Sequence, residues 1–127
     1  MNLDNLFHKF CKKNNLEINT YQLAIIDKIK SYYNCNFNKS IFKKFFLKNN
    51  VKQVFYLYGG VGVGKTMILN FFFDLVEEKK LRQHFNEFML SFHDFAHEKK
   101  EKNEENVINQ FVKDLKFKTK LIYFDEF

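Results

Sequence analysis

The stretch Val54-Phe55-Tyr56-Leu57-Tyr58-Gly59-Gly60-Val61-Gly62-Val63-Gly64-Lys65-Thr66 decides how the rest of the chain is read. Its first five residues are apolar or aromatic, which predicts a strand buried on both faces. Residues 59–66 then match G-x-x-x-x-G-K-[ST] at the point where a strand should give way to a helix. All four glycines of the chain lie inside these eight residues, a concentration that chance does not produce. Glycine permits the positive φ and the close backbone approach that let successive N–H groups face one phosphate. The helix N-terminus adds a favourable field for an anion. Lys65 can reach the β- and γ-phosphates as a point charge, and the Thr66 hydroxyl can ligate Mg²⁺. The expected ligand is therefore ATP with Mg²⁺, held by Gly59, Gly60, Val61, Gly62, Val63, Gly64, Lys65 and Thr66.

The second chemical element is Leu121-Ile122-Tyr123-Phe124-Asp125-Glu126, an apolar run closing on two acids. A buried strand that ends in Asp-Glu has the form of a Walker B element. Asp125 would hold the Mg²⁺ opposite Thr66. Glu126 would orient the attacking water, as phosphoryl transfer to water requires. Glu126 and Lys65 are the expected catalytic residues, and Thr66 and Asp125 the expected metal ligands. His93-Asp94-Phe95-Ala96-His97 offers a competing pattern, two imidazoles four residues apart as in a zinc helix motif. No third ligand follows at a convincing spacing, so both are read as partly solvated residues at a helix edge.

Near the N-terminus, residues 3–13 suit a short helix. Thr20 is the expected N-cap of a helix over 21–33, with Leu23, Ile26 and Ile29 on one stripe. Residues 41–47 form a third helical candidate with Phe42, Phe45 and Phe46 inward, and Asn49-Asn50 marks a break. After a strand over 51–58, a buried helix is expected from about 64 to 79, because it is apolar nearly all round. A second strand is expected around 83–89. It gives way to a helix through Phe92, Phe95 and Ala96 that ends in the charged run 98–105. Asn103 can cap a helix bearing Val107, Ile108, Phe111, Val112 and Leu115. The last strand is expected over 121–124. This alternation predicts an α/β fold with a parallel sheet: a helical N-terminal segment over 1–50 and a P-loop NTPase domain over 51–127.

Composition bounds the alternatives. The chain has 127 residues, 46% of them apolar and 18 of them Phe, which excludes a disordered chain. Four Gly and no Pro argue against an all-β fold with many tight turns. The net charge is +6. Residues 1–52 carry ten Lys and three acids, while residues 53–127 carry eleven basic and twelve acidic residues, so the excess lies in the N-terminal arm. A basic arm suits a polyanion. The sole Arg is Arg82, however, and Arg is the preferred residue for phosphate recognition. The excess of Lys is read as compositional bias, and a nucleic-acid partner is not expected. No apolar stretch reaches 18 residues, and the N-terminus has no secretory signal. Cys11 and Cys35 lie outside any CxxC pair and read as free thiols in a reducing cytoplasm.

The wording of the motifs adds a resemblance. Residues 56–67 resemble the ZapE family of bacterial cell-division ATPases and their mitochondrial AFG-like relatives. Arg82-Gln83-His84-Phe85-Asn86-Glu87-Phe88-Met89, followed by Phe92-His93, is similar to that family's second signature, K-x-R-x-H-F-H-x-F-M-x-x-V-H. Residues 121–127 resemble its L-x-F-D-E-F element, and Gln22 and Ala24 fit its Gln-x-x-Ala helix loosely. The resemblance covers residues 20–127. Val63 stands where the family has Arg, and Asn86 where it has His.

The resemblance implies an AAA+-like P-loop fold, a three-layer parallel sheet of order 5-1-4-3-2. It implies ATP hydrolysis by a full-length homo-oligomer that remodels division or inner-membrane proteins, in the cytoplasm or at the periphery of the inner membrane. In that order the strand between 54–58 and 121–124 would follow residue 127. So would the family's V-x-D-I-x-D-A-M segment, its sensor 1 strand, its arginine finger and its C-terminal helical part. The expectation is a sheet truncated after the Walker B strand, and no steady-state ATPase from these 127 residues alone. Two alternatives stand beside it. One is a non-hydrolysing nucleotide-binding remnant of a split gene. The other is a helicase-loader-like ATPase contacting nucleic acid through the Lys-rich arm, against which the second signature argues.

Overall fold

The computed structural model describes residues 2–37, 54–58, 64–100 and 103–125. They form helices α1 (Leu3–Lys13), α2 (Thr20–Phe37), α3 (Lys65–Leu75), α4 (Phe85–Lys99) and α5 (Glu104–Lys118), and strands β1 (Lys80–His84) and β2 (Leu121–Asp125). The chain divides into two compact units, Met1–Phe72 and Phe73–Phe127. The helix expected over 41–47 lies outside the described residues.

In the first unit, α1 has the amphipathic spacing its sequence predicts, with Leu3, Phe7 and Cys11 buried on one stripe. Asn2 caps it, its side chain accepting from the Asn5 N–H. Ile25, Ile26 and Ile29 of α2 and Ile68, Phe71 and Phe72 of α3 complete the core. Phe71 meets the rings of Phe7 and Phe10 at 5.3 and 5.0 Å, within the range of favourable aromatic pairing. Lys30 of α2 reaches Asp4 of α1 at 2.7 Å. Cys11 is a free thiol, and burial pushes its pKa up.

The start of α2 differs from the expectation. Its cap is Asn19 rather than Thr20. The Asn19 Oδ1 accepts from the Gln22 N–H at 2.8 Å, and the Gln22 Oε1 accepts from the Asn19 N–H at 3.2 Å. This reciprocal pair is a capping box, and it satisfies two donors that a helix end otherwise leaves open. The stripe is shifted accordingly, with Gln22, Ile25, Ile26 and Ile29 buried and Leu23 only half-buried.

Residues 54–58 carry no strand. Val54, Tyr56 and Tyr58 are exposed, 80%, 68% and 74%, so the expected burial on both faces is not found. Phe55 is half-buried against Tyr32 of α2, ring centroids 5.9 Å apart. The physical reason is that a strand exists only through a ladder. Among the described residues these five have none.

In the second unit, β1 and β2 pair in parallel, with Lys80 opposite Leu121 and His84 opposite Asp125. Among the described residues this is the whole sheet. The second strand therefore lies earlier than expected, at Lys80–His84, and the residues after it are helical. Phe85, Phe88, Met89, Phe92, Phe95 and Ala96 recur at helical spacing, and that period wins over the local β-propensity of the run. Helix α3 ends at Leu75, short of the expected 79. Asn103 caps α5 as predicted, accepting from the N–H groups of Glu105 and Asn106 at 3.0 and 3.4 Å. Helices α4 and α5 pack an aromatic cluster on one face of the sheet. Phe88 meets Phe124 at 4.8 Å, and Phe111 meets Phe88, Phe92 and Phe95 at 5.2–5.6 Å. Phe73 packs on Tyr123 of the other face at 5.8 Å.

Removing the α2 cap should show in the stability of the full chain. Asn19→Ala is expected to lower unfolding free energy by about 1 kcal/mol, measured as a fall in the urea midpoint. An unchanged midpoint would contradict the capping box. Gly64→Ala, at a backbone φ of +72°, is expected to destabilise by about 1–2 kcal/mol. Gly64→Asn should cost less, since Asn tolerates the left-handed region better than Ala.

Candidate functional site

Gly64 sits directly before α3, in the left-handed region. Its carbonyl accepts from the Ile68 N–H at 3.1 Å, so it is the last residue outside the helix. A Cβ here would lie 3.0 Å from the Gln22 Nε2 and 3.6 Å from the Met67 Cε. Glycine is favoured here by φ, whereas a Cβ would ask only the flexible end of the Gln22 side chain to give way. Gln22 is the buried polar residue of this core, 8% exposed. With its Oε1 engaged by Asn19, its Nε2 is the end that faces Gly64.

Lys65 and Thr66 are the first two residues of α3, and Thr66 is exposed. Their backbone N–H groups belong to the turn that has no intrahelical acceptor, where the helix field favours an anion. A glycine turn in the left-handed region, a helix N-terminus, a lysine and an accessible hydroxyl are the features that suit a phosphate and its magnesium ion. Residues 59–63 of the same motif lie outside the described residues.

Asp125 is the last residue of β2, and Glu126 lies outside the described residues. Both oxygens of Asp125 are engaged by Arg82 of β1. Arg82 Nε donates to Oδ2 at 2.6 Å, and Nη2 donates to Oδ1 at 3.3 Å. The register makes this possible: Arg82 stands opposite Tyr123, and Asp125 lies two residues further along the same face. The guanidinium also lies over the Tyr123 ring, 4.8 Å from its centroid. Hydrogen bonds from Arg82 hold the Asp125 carboxyl below its ordinary range, against a smaller opposing effect of burial. The same contact raises the Arg82 pKa. Burial, with Asp125 nearby, pushes the Tyr123 phenol up.

His93 and His97 are exposed on α4. Among the described residues no group of three or more His, Cys, Asp or Glu side chains could hold a metal ion. No described helix is long and apolar enough to cross a membrane. Two roles escaped the sequence reading. Gln22 backs the last glycine of the loop, and the signal for it was the Asn-x-x-Gln spacing of a capping box. Arg82 grips Asp125, and its signal was its standing as the sole Arg of the chain.

The profile of the AFG1-like ATPase family matches residues 7–127. A curated zebrafish (Danio rerio) protein, lactation elevated protein 1 homolog B, is 37% identical over 90 residues. That match covers 63% of this chain and 18% of the relative, so the chain spans a small part of that protein's length. No solved structure matches. A family match that runs from α1 through β2 makes the assignment plain: the chain belongs to the AFG1-like ATPase family.

Proposed function

We propose that the chain binds Mg-ATP through residues 59–66 and supplies the acids for its hydrolysis from the end of β2. Gly64 carries the reading. It combines a left-handed φ with a position immediately before Lys65, Thr66 and the N-terminus of α3. In this reading the loop N–H groups and Lys65 bind the phosphates, and Thr66 and Asp125 hold the magnesium ion. The ion, when bound, neutralises charge that develops on the phosphates. Glu126 holds and polarises the attacking water. The position of Asp125 at the end of β2, in the grip of Arg82, supports its place in this set.

The finer role follows from the motif resemblance. Residues 56–67, 82–93 and 121–127 support a ZapE-like ATPase that works as a homo-oligomer on division or inner-membrane proteins, from the cytoplasm or the inner-membrane surface. The N-terminal helices and the P-loop portion would then be the two parts of one motor subunit.

Binding and turnover are separable. Lys65→Ala is expected to weaken binding of a fluorescent ATP analogue about 10- to 100-fold, the worth of one charge-assisted hydrogen bond. Glu126→Gln is expected to leave that affinity near wild type while lowering turnover about 10²- to 10⁴-fold in an assembly that hydrolyses ATP. Equal affinity in Lys65→Ala and wild type would sink the reading.

A further inference from the structure

The chain has 21 basic residues, and only Arg82 is Arg. Among the described residues Lys serves in ion pairs such as Lys30 with Asp4 and Lys118 with Asp114. The one guanidinium stands where a fork is used, with Nε and Nη2 on different oxygens of Asp125 and its plane over Tyr123. A lysine ammonium is a point charge on a flexible stem and cannot fix the plane of a carboxylate in this way. The Asp125 side chain is only 20% exposed, and the parallel register places all three residues on one face. A carboxylate has about four lone-pair positions. Arg82 takes one on each oxygen, which leaves lone-pair positions for a metal ion.

We propose that Arg82 is the positioning residue of Asp125. It holds the carboxylate in one orientation at the end of β2, with Tyr123 as its platform, so that the remaining positions can meet a magnesium ion without Arg82 having to leave. The proposal rests on the reading of Asp125 as a magnesium donor. It gives the second signature of the chain, Arg82 to Met89, a physical role, because its first residue prepares the acid of the neighbouring strand.

The test is a magnesium titration of the full chain with a fluorescent ATP analogue, beginning in EDTA. Arg82→Gln is expected to raise the magnesium concentration for half-maximal binding about tenfold or more, as loss of a group supporting a metal ligand does. Nucleotide affinity in EDTA should be unchanged. Arg82→Lys should fall between wild type and Arg82→Gln, and it carries the test if Arg82→Gln does not fold. In a double-mutant cycle, Arg82→Gln should add nothing to Asp125→Asn, because it acts through that residue. A purely structural pair would change both affinities together and overturn the proposal. An unchanged magnesium requirement would also overturn it. So would a lowered requirement, which would show that Arg82 competes with the ion. Absence of nucleotide binding by the wild type, or magnesium binding insensitive to Asp125→Asn, would overturn the parent reading and this proposal with it.

Discussion

Two parallel strands cannot be joined by a tight turn, because the chain leaves the first at the end opposite to where it begins the second. That constraint organises residues 80–125. The crossover between β1 and β2 consists of α4 and α5, and these helices cover one face of the pair through Phe88, Phe111 and Phe124. Period-two alternation then sends Phe124 to the covered face and Tyr123 and Asp125 to the other. A slip of one residue would exchange the faces. It would carry Phe124 away from its aromatic partners and Asp125 away from Arg82 in the same step. The cluster and the ion pair are therefore compatible with the same register, from opposite faces. An exposed ion pair alone is worth little, so the aromatic face sets the register and Arg82 exploits it.

The first unit is constrained by a buried amide. Taking a polar side chain out of water is unfavourable unless it is hydrogen-bonded. Gln22 meets this by accepting from the Asn19 N–H, which at the same time caps α2. Its other end then lies against Gly64, close enough that a methyl group there would press on it. Gln22 therefore serves the helix cap with one end and lines the approach to Gly64 with the other.

Residues whose signal is local were legible in the sequence. Asn103 before a periodic apolar run becomes the cap of α5, and residues 3–13 become α1, because caps and periods act over a few neighbours. The positive φ at Gly64 was legible too, because a glycine directly before a helix is a local backbone signal. Strand β1 was not. Lys-Leu-Arg-Gln-His has one apolar residue, and its place in the sheet comes from pairing with a strand distant in sequence, Lys80 with Leu121. The Phe-rich run after it satisfies a strand's propensity and a helix's period at once, and tertiary packing on Phe124 and Phe111 selects the helix. Residues 54–58 failed in the opposite sense: an apolar run proposes a strand, but only a ladder makes one. The Arg82–Asp125 contact was invisible for the same reason, since its partners meet only once the register exists.

The basic side chains of residues 80–82 lie outside the Lys-rich arm of residues 1–52, and they have local partners of their own. In the second unit the basic side chains around β1 are engaged locally. Lys80 donates to the carbonyls of Phe73 and Asp74 at the C-terminus of α3, at 2.6 and 3.2 Å. A cation is favoured there by the helix field. Its ammonium lies over the Phe73 ring, 4.8 Å from the centroid. Arg82 is held by Asp125 and Tyr123. A charge already compensated by a helix end or a carboxylate releases few counterions on meeting a polyanion, and counterion release is what drives such binding. In a chain with 18 Phe, cations over aromatic rings are part of the packing. The basic character of residues 80–82 is therefore architectural.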